Sequence, residues 1–480
     1  MKGNFILALF FILLCSGAFA ISVAVNPSTG TNGSNPTDTI GDAIAQVLAS
    51  PDADNTITLR STEGPHILPD DPTWDFGYHN CDIVAESGQP IIVLNSAGRR
   101  GIVDITACST STLSFSDIAV IPETGLTYAD NVGDGFRAYD ATYVFANVVF
   151  SANDGSNGVA SQEADVDFAS LVNNVGDDWF QFYTLNDVTF SNCTITGAWD
   201  DALLFGGGTG ADPQVVTLDQ GTVIANIGGA GIQVYEPYCE LLIDGSAGRV
   251  LIAKLGLRSG TNDTGIKFFY DMGCDLDITK CDIIDCTYGS IFDFDGVPTI
   301  DITDSRIAYG NTDDVATAGL LAIDDAYADS AYGQTINITR CTFHAAGGSS
   351  VEDAIVAQEG ANEPYQAYNI IDSIFSGSGD TYANMKNDTG AAGSSVSQTF
   401  CAVVTAGPDA IANSGDLGSG AVSTDPQYLS YNYTIGRAQY NTNFLQPQNT
   451  TDYGTAGSGG ALLNGGAPPP GTGVYDWNLY

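Results

Sequence analysis

The 480-residue chain carries 57 acidic against 14 basic side chains, a net charge of −43. That excess excludes binding to nucleic-acid backbones, whose affinity is built from Lys and Arg on phosphates. Hydrophobic residues at 44% and aromatic residues at 10% exclude an acidic disordered tail and require a packed core.

At the start, Lys2 precedes an apolar run from Phe5 to Leu14, and Ala18-Phe19-Ala20 follows it. A charged start, a short apolar stretch and a small-x-small site form the layout of a secretory signal, and the run is too short to span a bilayer. Residues 1–20 are read as a signal peptide, and the mature protein as secreted, extracellular or at the cell surface, with no transmembrane segment. In residues 21–55, Ile40, Ala43, Ile44 and Val47 recur at helical spacing behind Asp38 and Thr39, either of which suits a helix cap. This segment is expected to form an N-terminal cap.

From residue 56 to 411 a short phrase keeps returning. It runs Asp134-Gly135-Phe136-Arg137-Ala138, Asp178-Trp179-Phe180-Gln181-Phe182, Asp201-Ala202-Leu203-Leu204-Phe205, Ala230-Gly231-Ile232-Gln233-Val234, Thr264-Gly265-Ile266-Lys267-Phe268, Asp353-Ala354-Ile355 and Asp409-Ala410-Ile411. A turn residue followed by apolar residues two apart is a strand that buries one face. Its return after the same turn marks a stacked solenoid. A second phrase precedes it, as in Phe190-Ser191-Asn192-Cys193-Thr194-Ile195, Ile278-Thr279-Lys280-Cys281-Asp282-Ile283, Ile302-Thr303-Asp304-Ser305-Arg306-Ile307 and Ile338-Thr339-Arg340-Cys341-Thr342-Phe343. Read as strands, the two phrases give two strands per rung, each stacking parallel on the last about 4.8 Å away. No stretch offers the helical crossover of a doubly wound sheet.

Cys193, Cys281, Cys341 and Cys401 share one repeat position, which Ser305, Ser373 and Gly221 fill in other rungs. Neighbours two rungs apart, about 10 Å, exceed disulfide reach and read as a ladder of small residues inside the coil. Cys81 and Cys108, one rung apart in sequence, are the expected disulfide. Residues 412–480, rich in Gly, Ser, Thr and Asn, lose the phrase and are read as an irregular C-terminal cap.

The opening TIGDAIAQVLASPDADNTITLRSTEG, and the closing Asp425-Pro426-Gln427-Tyr428-Leu429 with Gly460-Ala461-Leu462-Leu463-Asn464-Gly465-Gly466 and Gly473-Val474-Tyr475, resemble the ends of the right-handed parallel β-helix, pectate-lyase-like superfamily. The resemblance covers nearly the whole mature chain. It implies an all-β single right-handed solenoid but no one activity, because such folds host lyases, hydrolases, esterases, epimerases, adhesins and scaffolds.

Two sets of site candidates follow. Asp177, Asp178, Asp200 and Asp201 form two pairs one rung apart, a donor set suited to calcium. Asp178 and Asp201, with Arg137 as the basic group, are the catalytic candidates of a lyase or hydrolase. Against that, Asp suits such turns because its side chain bonds nearby backbone amides, and the sequence does not bring Arg137 and the acids into one cluster. His66, His79 and His344 lack catalytic context; His344 is expected in a loop. The second set lies on the outward face. If Phe136 and Ala138 point inward, Arg137 and Tyr139 point out, and by the same count so do Tyr183, Tyr235 and Phe269, flanked by Gln181 and Gln233. Flat apolar rings beside hydrogen-bonding side chains make a sugar platform, while rings packed beneath inserted loops are the structural alternative.

The leading expectation is therefore a secreted β-helix that binds carbohydrate, adheres or forms scaffold, with extracellular glycan as partner, filament self-association open and no nucleic acid. No cofactor is required, calcium being the one considered. The alternative is a polysaccharide-degrading enzyme, a calcium-assisted polysaccharide lyase or a glycoside hydrolase.

Overall fold

The computed structural model describes residues 20–26, 39–50, 54–61, 64–68, 72–94, 103–123, 134–156, 158–159, 175–183, 187–257, 264–269, 273–286, 289–293, 297, 299–308, 319–325, 334–344, 353–359, 366–376, 383–387, 395–399 and 402–404. The signal-like residues 1–19, Cys401, Asp409 and the C-terminal 412–480 lie outside them. Among the described residues, three parallel sheets of 13, 12 and 11 strands run along the coil, and from Asp54 onward the chain passes repeatedly from the first through the second to the third. Parallel strands of one sheet joined by way of two others require a crossover, and its hand is right-handed. The fold is a right-handed parallel β-helix.

Each rung thus has three strands, not two. The second phrase spans two of them. Phe190-Ser191 ends a first-sheet strand and Thr194-Ile195 opens a second-sheet strand, with Asn192 between them at φ 55°. The same left-handed corner recurs at Asp117, Asn147, Gln220, Lys280, Asp304, Arg340 and Asp372. One left-handed residue turns the chain and lengthens the inward spacing by a single step, from Phe190 to Cys193 and from Ile278 to Cys281, so the corner hides inside what reads as one strand. Asn and Asp adopt this conformation cheaply. Their side chains also form a rail: Asn192 Nδ2 donates to Asn147 Oδ1, and Asn147 Nδ2 donates to Asp117 Oδ1 at 3.1 Å.

Side chains stack on like side chains down the core. Phe115, Phe145 and Phe190 are parallel with centroids 5.1 and 4.9 Å apart; Phe136 stacks on Phe180 at 5.2 Å and Phe182 on Phe205 at 5.0 Å. Such pairs contribute about 0.5–1.5 kcal/mol each beyond their buried area. At the N-terminal end, Ser22–Val25 is already the first strand of the first sheet, paired with Thr56–Leu59. The helix Ile40–Leu48 follows it, with Thr39 Oγ1 accepting from the Asp42 amide at 3.0 Å, and buries Ile40, Ala43, Ile44 and Val47 in the core. Of the two cap candidates, Thr39 holds the position.

Three smaller expectations change. Cys81 and Cys108 are both free thiols, Cys81 buried and Cys108 exposed, so there is no bond between them. The small-residue ladder is Cys193, Thr222, Val250, Cys281, Ser305, Cys341 and Ser373. The turn Gln220-Gly221 holds one extra residue and shifts Thr222, rather than Gly221, into register. Burial pushes the Cys341 and Cys239 thiols up to about 12, which keeps them unreactive. His344 ends the strand Thr342–His344 and is buried there, not in a loop.

Candidate functional site

Both sets of candidate residues lie on the third sheet or at the corner that enters it. Its strands Phe136–Tyr139, Phe180–Tyr183, Leu203–Phe205, Ile232–Val234 and Ile266–Phe268 stack in register, with alternate residues buried in the first four and all three buried in the last. Arg137, Gln181, Leu204, Gln233 and Lys267 occupy successive places in one outward column. The next outward column is Tyr139, Tyr183, Gly206, Tyr235 and Phe269. Its register is set by the Tyr139–Tyr183 pairing and by the amides of Gly206, Tyr235 and Phe269, which donate to the carbonyls of Phe182, Phe205 and Val234 at 2.9, 3.0 and 2.8 Å.

The rings of Tyr139 and Tyr183 lie face to face, centroids 5.1 Å apart and planes 10° from parallel. The Tyr183 hydroxyl donates to Gln181 Oε1. Burial and nearby carboxylates raise both phenols above their ordinary range, so they remain neutral donors. Tyr235 is 47% exposed, and its ring meets Phe269 edge-on at 6.1 Å. The Lys267 ammonium sits 4.5 Å from the centre of the Phe269 ring. The column is thus two aromatic pairs separated by one rung without a side chain, a break that Gly206, directly after Phe205, marks in the sequence.

The aspartates lie at the corner where the chain enters the third sheet. Asp178 Oδ1 accepts from the Asp201 amide at 2.8 Å, and Asp201 Oδ1 accepts from the Ala230 amide at 2.7 Å. Each carboxylate therefore ties its own rung to the next, the turn role its residue type suits. Carboxylate oxygens of Asp177, Asp178 and Asp200 come within 4.8 Å of one another, and Asp201 is not part of that group. Gly229 is required beneath it, because a Cβ there lies 2.6 Å from Oδ1 of both Asp200 and Asp201. Asp178 is held well above the usual carboxylate range by burial and by the charges of Asp201, Asp134, Asp177 and Asp200. Three oxygen donors around an electrostatically strained, buried carboxylate fit a hard divalent cation such as calcium.

Arg137 is linked to this corner through a residue with only a turn role in the sequence. Its Nε donates to Asp134 Oδ2 at 2.6 Å, and Asp134 in turn is among the charges acting on Asp178. Burial pulls the guanidinium down, and the Asp134 hydrogen bond and charge outweigh it, leaving Arg137 above its ordinary value. An arginine so held is a poor proton acceptor.

No family profile and no curated protein sequence matches the chain. Among solved structures, it is similar to the A-module of the mannuronan C-5 epimerase AlgE6 of Azotobacter vinelandii (12% identity over 81% of this chain and 98% of that one, TM-score 0.41). It is also similar to pectate lyase Pel9A (14%, 94% and 97%, TM-score 0.38) and to the endo-xylogalacturonan hydrolase of Aspergillus tubingensis (13%, 84% and 99%, TM-score 0.31). At these scores the likeness transfers no residue and no reaction, and the β-helix rests on its own strand pairings.

Proposed function

We propose that the protein is an exported, extracellular or cell-surface β-helix that binds carbohydrate along the outward face of its third sheet. The observation that carries this reading is the register-locked column of Tyr139, Tyr183, Tyr235 and Phe269 beside Gln181 and Gln233. Rings held 5–6 Å apart on a rigid sheet offer apolar faces for sugar rings, and the amides offer donors and acceptors for hydroxyls. Among the described residues no helix is long and apolar enough to cross a membrane, which accords with export.

A second reading rests on the aspartate corner: a calcium-assisted polysaccharide lyase, or a glycoside hydrolase. In it Asp177, Asp178 and Asp200 would hold calcium, with Arg137 as the basic group. Asp178 is only 5% exposed and Arg137 is bound to Asp134, so neither faces a substrate freely. This makes binding the better-supported reading.

The test is a glycan array probed with residues 21–480, with and without calcium, while ultraviolet absorbance is followed for unsaturated products on each acidic polysaccharide bound. Binding without product supports the platform. Calcium-dependent growth of absorbance overturns it in favour of the lyase. Silence in both channels leaves a structural scaffold.

A further inference from the structure

Among the described residues, one pair of cysteines stands face to face on neighbouring rungs. Cys239 opens the first-sheet strand Cys239–Asp244, whose Glu240 and Leu241 pair with Asp275 and Leu276 of the next rung. One step back in that register, Cys239 lies opposite Cys274. Both are wholly buried in the core. The paired register sets no other two described cysteines beside each other: Cys81 pairs with Leu113, Cys281 with Val250 and Cys286 with Leu255, while Cys193 and Cys341 neighbour Thr222 and Ser305.

The geometry suits a bond between them. Adjacent parallel strands lie about 4.8 Å apart, within the roughly 4.4–6.8 Å that the Cα atoms of a disulfide span. Each cysteine directly follows a left-handed residue, Tyr238 at φ 62° and Gly273 at φ 74°, so both chains enter the sheet by the same corner. The two corners touch, because a Cβ on Gly273 would lie 2.5 Å from Cδ1 of the Tyr238 ring. The Cys274 sulfur already reaches across to the neighbouring rung, where it accepts from the Cys239 amide at 3.2 Å. The Cβ atoms of a disulfide lie about 3.8 Å apart, so the bond draws the corners together by about 1 Å. It does so where the ladder between these two strands begins.

Both side chains are thiols in the structure. Joining them forms one S–S bond and removes two protons and two electrons. A small-molecule or protein disulfide takes these and leaves as two thiols, after one cysteine attacks it and the other resolves the mixed disulfide. In the folded coil neither sulfur is open to that exchange: both residues are 0% exposed, and burial pushes the Cys239 thiol up to about 12. Exchange therefore belongs to folding, before the two rungs close.

We propose that Cys239 and Cys274 are a disulfide site, joined by exchange with a small-molecule or protein disulfide while the chain folds. For its oxidising setting this rests on the export reading; the sugar platform stands or falls without it.

The test is refolding of residues 21–480 from denaturant in a mixture of reduced and oxidised glutathione. The product is quenched in acid, unfolded, alkylated with N-ethylmaleimide, digested and mapped by mass spectrometry. The oxidant is supplied in the tube, so the result does not depend on whether the chain is exported. A linked peptide pair is expected, with fragmentation placing the bond on Cys239 and Cys274. Protein folded first in reductant and then given the same mixture should keep both as thiols. The bond spans 35 residues and restricts the unfolded chain, so oxidised wild type should melt higher than reduced. Cys239→Ala should leave Cys274 alkylated and lose that difference. Should this variant not fold, the wild-type map decides alone. Alkylation of both cysteines after oxidative refolding, or a bond from either to another cysteine, overturns the site. Equal bond formation in the folded, reduced protein overturns its assignment to folding.

Discussion

Two buried aspartates on this coil are driven in opposite directions. Asp282, on the second sheet, lies between Arg249 (2.5 Å) and Arg306 (2.6 Å), which overcome the effect of burial and hold its carboxyl below the usual range. Asp178, on the corner leading to the third sheet, has four acids as its charged neighbours, and burial and those charges hold it well above that range. Burial alone therefore says little about what a carboxylate does; its neighbours decide. The Asp282 cluster is a finished structural joint, its charges paired within the protein. The Asp178 corner gathers like charges, so protons or a cation there should change its stability.

The largest expected effect comes from breaking the finished joint. Asp282→Asn leaves two buried guanidinium groups without their counter-ion and should cost about 3–5 kcal/mol in chemical denaturation. Because its folded value is depressed, Asp282 stabilises the protein above the ordinary carboxylate pKa. That contribution is lost as pH falls through the depressed value. Acid denaturation of the wild type should therefore contain a limb that Asp282→Asn lacks.

The next effect sharpens the other half of the comparison. If the corner takes calcium through Asp177, Asp178 and Asp200, the ion should raise wild-type stability, by about 2.7 kcal/mol at a hundred times its Kd. Asp178→Asn should abolish most of that gain in thermal melts. In EDTA the sign reverses. The raised folded value means Asp178 costs stability once pH exceeds its ordinary unfolded value. Asp178→Asn, which keeps the oxygen that accepts from the Asp201 amide, should then melt higher than wild type at neutral pH. The advantage should vanish below about pH 4, where the carboxyl is protonated in both states. A calcium response unchanged in Asp178→Asn removes the corner as a cation site.

The sequence displayed the coil because the same apolar alternation returns in rung after rung, and it placed Tyr139, Tyr183, Tyr235 and Phe269 in one outward column because their strands alternate in the same phase. It hid the third strand of each rung, because a single left-handed residue such as Asn192 or Lys280 turns the chain while lengthening that spacing by only one residue. It also hid the Arg249–Asp282–Arg306 joint. Asp282 and Arg306 do share a repeat position, but pairing across rungs depends on register, and Arg249 arrives from a turn of different length. The acids at 177, 178, 200 and 201 were visible as pairs. That Asp178 and Asp201 each bond the amide of the next rung, and that Arg137 belongs to Asp134, needed the stacked backbone.

The smallest predicted effect bears on the central claim, that the aromatic column of the third sheet binds sugar. Loss of one stacking ring should cost about 0.5–1.5 kcal/mol. The direct measurement is the affinity of wild type, Tyr183→Ala and Tyr235→Ala for the glycan the array selects, with melting temperatures recorded on the same samples. The account predicts a drop of roughly two- to ten-fold for each variant, without loss of stability. Unchanged affinity in both variants contradicts it and moves binding away from this face.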